Sequence, residues 1–260
     1  MNDPQVVALI YRVEHGSSVD YDEASPLSYD DDPKFHLTVE DNCARFELKE
    51  HYADVREARD AIEPFIQYWE FQTGIRLGPN RFSLLYTNAE IIDRNPSPSK
   101  PGTRKHRVGG HVLRNVIAEA RVRIGHPCYP PPPERGTVDL DDLSVERMRH
   151  RHDRYRLGRT TLPDAANFCL TSLEKKYGGR SAAAQACGVS KKILDRIATL
   201  TSEKGGEVAR KARGADHEFT DQERRFLREA LKKIIIRAAQ VAADDSQNIP
   251  QITMADLPSL

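Results

Sequence analysis

The sequence contains no apolar run approaching the roughly 18 residues that a membrane span requires. Its start, Met1-Asn2-Asp3-Pro4, lacks the basic segment of a secretory signal. The expectation is a soluble, cytoplasmic chain with no membrane partner. Cysteine is scarce: Cys43, Cys128, Cys169 and Cys187 stand far apart, with no Cys-x-x-Cys pair and no Cys/His cluster at zinc-finger intervals. That spacing argues against a disulfide framework and a structural zinc site, and predicts free, buried thiols. No glycine-rich phosphate loop and no Gly-x-Ser-x-Gly elbow occurs, so the commonest nucleotide-binding and hydrolase signatures are missing. Asp30-Asp31-Asp32 is not followed by the remaining ligands of a calcium loop, and a solvated acidic loop is expected there. No metal and no cofactor is predicted.

Net charge is missing only in sum. The 260 residues carry 39 Lys and Arg against 39 Asp and Glu. Residues 1–100 hold 10 basic against 19 acidic side chains, however, and residues 101–260 hold 29 against 20. An acidic module joined to a basic one fits that asymmetry, and a basic module favours a polyanionic partner. Apolar residues make up 38% of the chain and mean hydropathy is −0.63, polar for a globular protein yet enough for a core.

The pattern along the chain changes period as well as charge. Val6–Val13 reads as a strand, Asp20–Pro33 as an exposed loop, and Lys34–Val39 with Ala44–Leu48 as a hairpin turning at Glu40-Asp41-Asn42. Val55–Thr73 repeats apolar residues at three- and four-residue steps, which predicts a helix kinked at Pro64, with Trp69 in the core. Arg81–Ile92 returns to strand character. Residues 101–137 then form a basic and proline-rich connector that includes Tyr129 and the four prolines after it. Helices are predicted over Val138–Leu157, Leu162–Tyr177, Ser181–Cys187, Lys191–Leu200 and Thr220–Ala243, with Thr220 and Glu223 at capping-box spacing. The tail from Asp244 is read as extended, with Ile249, Ile252 and Leu257 able to dock. The fold class is α+β: an acidic sheet-and-helix domain over 1–100 and a basic helical domain over 138–260.

Two segments suggest chemistry. Residues 180–199 resemble a helix-turn-helix unit: small Ala184 at a helix crossing, Gly188 to reverse the chain, Val189 as a plug, Ser190 to cap, and Leu194 and Ile197 facing inward. The resemblance implies DNA binding through Ser190, Lys191, Lys192 and Arg196, beside Asp195, on the second helix. Arg210 and His217, with six residues between them, are similar to the Arg/His pair of the HEPN family of metal-independent ribonucleases. That likeness implies phosphate stabilisation by Arg210, proton transfer by His217 and a homodimer, although Lys211 replaces the family's polar residue after the arginine. Arg147 and His152, with four residues between them, also fall within the family's range of four to six. His150, His152 and Asp153 are read instead as part of a charged outer helix face with Arg147, Arg151 and Arg154. The expected function is nucleic-acid binding, DNA or RNA, by the helical domain, with the sheet domain serving regulation or a protein partner. The alternatives are a HEPN-type endoribonuclease and a protein-interaction module.

Overall fold

A computed structural model describes residues 3–16, 19–95, 128–133, 138–203, 219–243 and 249–260. The protein is α+β, with an N-terminal antiparallel sheet and its packed helix followed by a helical region. Contacts divide the chain into one unit of Met1–Gly74 with Asn80–Arg135 and another of Ile75–Pro79 with Gly136–Leu260.

In the first unit five antiparallel strands, β1 (Pro4–Glu14), β2 (Leu27–Asp31), β3 (Phe35–Glu40), β4 (Cys43–Leu48) and β5 (Ser83–Asp93), lie in the order β2-β3-β4-β1-β5. The β3–β4 hairpin closes through Asp41 and Asn42, both left-handed at φ 48° and 58°, the geometry that Asp and Asn tolerate best after glycine. Period-two alternation sends Phe35, Leu37, Val39, Ala44 and Phe46 to one face, where α1 (Val55–Leu77) covers them with Ala58, Ile62, Ile66 and Trp69. The helix runs on through Pro64, which is exposed, so the Asp60 carbonyl deprived of its N–H partner lies on the solvent side.

Three expectations need correction in this unit. The segment 20–33 is not all loop: β2 pairs along β3 from Leu27↔Val39 to Asp31↔Phe35. Asp30 and Asp32 are solvent-exposed, as expected, with Lys49 at 2.7 and 3.5 Å. Cys43 and Cys128 are exposed, and only Cys169 and Cys187 are buried. Residues 128–133, assigned to the connector, pack within the same unit. Trp69 Nε1 donates to Pro130 O at 3.2 Å, Tyr129 Oη accepts the Asn42 N–H at 2.9 Å, and the Tyr129 ring stacks on Tyr21.

The second unit holds α2 (Leu143–Arg156), α3 (Leu162–Tyr177), α4 (Arg180–Ala186), α5 (Lys191–Glu203) and α6 (Asp221–Ala242). The first helix begins five residues later than its apolar pattern implies, because the Asp142 carboxylate accepts the N–H groups of Ser144 and Val145 and fixes the N-cap there. Pro163 sits in the first turn of α3, and the Thr220–Glu223 capping box opens α6. Apolar stripes from α3, α5 and α6, including Leu170, Leu173, Ile193, Leu194, Phe226 and Ile235, meet in the core. No helix among the described residues is long and apolar enough to cross a membrane.

Candidate nucleic-acid interface

The turn between α4 and α5 follows from a few residues. Gly188 takes φ +54°, and a Cβ there would meet Arg237 Nη1 at 3.0 Å, so both backbone and space call for glycine. Ala184 is buried at the approach of α4 to α5, and Val189, Leu194 and Ile197 are 1% exposed or less. These apolar and turn residues form the buried side of the α4–α5 turn.

The polar residues of α5 divide into free and engaged. Lys191 and Lys192 are exposed in its first turn, and no carboxylate pairs with Lys192 among the described residues. Lys191 Nζ reaches Asp195 Oδ2 at 2.7 Å, and Arg180 Nη1 reaches the other oxygen of that carboxylate at 3.2 Å. The bond from Lys191, aided by Arg180 and opposed by slight burial, holds the Asp195 carboxyl below the usual carboxylate range. Arg196 is turned toward α6, where its Nη2 lies 3.5 Å from the nearly buried Glu223. Ser190 engages through its backbone: its N–H donates to Ile252 O at 2.8 Å and its carbonyl accepts from Ile193.

The residue pattern allows Ile249, Ile252 and Leu257 of the tail to dock, but does not place that contact at this turn. The C-terminal segment returns to it, with Ile252 N–H donating to Gly188 O at 2.9 Å in a parallel bridge between Val189 and Ile252. Arg237, 7% exposed, sends Nη2 to Pro250 O at 2.7 Å and Nη1 to the Cys187 and Gly188 carbonyls at 3.4 Å. One buried guanidinium thus ties helix α6, the turn and the tail together. Leu257, expected as a docking residue, is buried.

The ribonuclease residues fare differently. Arg210 and His217 lie outside the described residues, as do residues 101–127 of the basic connector. The second Arg/His pair fails: His152 is 1% exposed on the core side of α2, in line with Val145 and Met148 at three- and four-residue steps. It belongs neither to a charged outer face nor to an open site, whereas Arg147 and His150 are exposed. Among the described residues no group of three or more His, Cys, Asp or Glu could hold a metal ion. Compared with protein-family models, curated proteins and solved structures, the chain matches none.

Proposed function

We propose that the helical unit binds nucleic acid, with the first turn of α5 meeting the phosphates and base edges of a duplex. The observation that carries this reading is the division of α5 into a fully buried apolar side and an exposed start bearing Lys191 and Lys192. Exposed cations at a helix start next to a tight turn suit phosphate contact, which dominates affinity and makes it salt-dependent. Asp195 is the internal competitor, since a phosphate reaching Lys191 must displace a carboxylate already at 2.7 Å. Arg196 contributes less in this reading because Glu223 holds it. The acidic sheet unit then serves regulation or a protein partner.

Replacing Lys191 and Lys192 by Ala tests the proposal in duplex-binding titrations over a range of salt. Affinity should fall and the salt slope should become shallower by up to about two, at roughly one unit for each phosphate no longer neutralised. Asp195→Ala should tighten binding by freeing Lys191. An unchanged affinity and slope in the double variant, with the fold intact by circular dichroism, overturns the assignment.

A further inference from the structure

The outward side of α2 carries a second concentration of positive charge, distinct from α5. Val145, Met148 and His152 face the core, so Arg147, Arg151 and Arg154, four and three residues apart, share another face over about 10 Å of helix. With Arg149, His150 and Phe168 of α3 they line a groove of about 500 Å³.

Three observations separate this groove from an ordinary solvated helix face. None of the four arginines pairs with a carboxylate among the described residues, even though Glu146 and Asp153 also line the groove. In the same unit Lys176, Arg180, Lys191 and Arg196 are paired, whereas Lys175 and Lys192 have no carboxylate among the described residues. Arg151 Nε is buried and has no hydrogen-bond partner, so a donor at the groove wall lacks its acceptor. The Arg151 guanidinium also lies over the Phe168 ring, 5.5 Å from its centroid, and Leu143 beside them is 56% exposed. Arginines in series next to an aromatic and an aliphatic surface match the two needs of a single strand: cations along the backbone and an apolar face for a base.

We propose that this groove binds the phosphodiester backbone of single-stranded nucleic acid, with Arg147, Arg151 and Arg154 on successive phosphates and Phe168 under a base. A chain of regularly spaced phosphates uses all three arginines, whereas one isolated phosphate, on a mononucleotide or a phosphopeptide, leaves part of the series idle. The assignment goes beyond the duplex reading of α5 and uses none of its residues.

The experiment is a fluorescence-anisotropy titration of the full chain with a labelled oligouridylate across a salt series. Arg147→Gln with Arg154→Gln should weaken strand binding about tenfold or more and flatten the salt slope by about 1.4, at roughly 0.7 per neutralised phosphate on a single strand. Phe168→Leu, which keeps the apolar contact and removes the ring, should weaken it about fivefold. The Lys191→Ala, Lys192→Ala protein should bind the strand like the parent, and the two arginine changes should leave duplex binding unaltered, so either reading can fail alone. A check without variants is protection of the α2 arginines from a dicarbonyl reagent by the bound strand, read by mass spectrometry. Absent strand binding, an unchanged slope in the double variant, no protection, or equal displacement by uridine monophosphate or a phosphopeptide would each overturn the proposal.

Discussion

The sheet unit and the helical unit solve the same burial problem with different residues. Behind the sheet the core is built of rings: Phe35 lies 5.2 Å from Phe46 and 4.9 Å from Phe65, and Trp69 lies 4.6 Å from Phe82. In the helical unit Phe226 is the one buried aromatic among the described residues, and Ala165, Ala166, Ala183, Ala184, Ala230, Ala238 and Ala239 occupy much of the interior. A flat sheet under a helix leaves a broad gap that rings fill, whereas helices crossing at about 8–10 Å need small residues where they touch. Surface charge differs in the same way. Arg45 grips Glu90 through two 2.9 Å bonds, and Lys49 closes on Asp30 and Asp32, so these cations of the acidic unit are neutralised within it. The basic unit leaves Arg147, Arg151, Arg154 and Lys192 without a carboxylate among the described residues. Unsatisfied charge is what a polyanion can use, and on α2 it lies in series along one helix face.

The contrast in cores breaks most readily at Trp69. Trp69→Ala removes the largest fully buried side chain and its bond to Pro130, and should cost about 3–5 kcal/mol. Hydrogen exchange followed by mass spectrometry should place the destabilisation in β3, β4 and α1, leaving α3 and α5 protected as before. Equal deprotection of α3 and α5 would show that the two cores do not carry separate stabilities.

A smaller effect, confined to the other unit, is expected at Arg237. Arg237→Met keeps the aliphatic stem but strands the Cys187 and Pro250 carbonyls, while Gly188 O keeps the Ile252 N–H, and should cost about 2–3 kcal/mol. Residues 249–257 and the α4–α5 turn should become exchangeable first, while the sheet is untouched. If the tail stays protected, the backbone bridge from Ile252 to Gly188 and Ser190 holds it without the guanidinium.

Where the sequence was legible, one local signal decided the element. The β3–β4 hairpin needed only alternation around Asp41-Asn42, and α6 only its capping box and apolar stripe. Strand β2 was not legible because Leu27-Ser-Tyr-Asp-Asp has little strand character of its own and is defined by its ladder to β3. His152 was misplaced because the arginines around it mask the Val145, Met148, His152 stripe, in which a histidine fills an apolar position. The candidate lysines of α5 could be read from the turn chemistry before them. The arginine groove could not, since its meaning lies in Phe168 from another helix and in a donor without an acceptor, both tertiary facts.

The smallest expected effect compares two carboxyls, one in each unit, whose responses to acid have opposite sign. Burial pushes the Glu70 carboxyl up, the Leu84 N–H at 2.6 Å opposes this, and Glu63 adds to it, so Glu70 titrates above its ordinary 4.5 in the folded sheet unit. Burial also acts upward on Asp142, but Lys176 at 2.7 Å and the N–H groups of Val145 and Ser144 outweigh it, leaving that carboxyl below 3.8. The folded protein takes up the Glu70 proton before the unfolded chain does, so this group adds stability as pH falls through its raised value toward 4.5. Asp142 contributes fully above 3.8 and loses its contribution as pH falls through its depressed value. Urea unfolding followed by the fluorescence of Trp69, the sole tryptophan, reports the sheet unit, and far-UV circular dichroism weights the helices. Glu70→Gln should raise stability at neutral pH and abolish the gain on mild acidification in the first signal. Asp142→Asn should keep the cap but flatten the acid limb of the second, and Asp142→Ala should cost about 1 kcal/mol at neutral pH. A stability difference between Glu70→Gln and the parent that does not shrink on mild acidification would contradict the assignment of Glu70 as a carboxyl raised by burial.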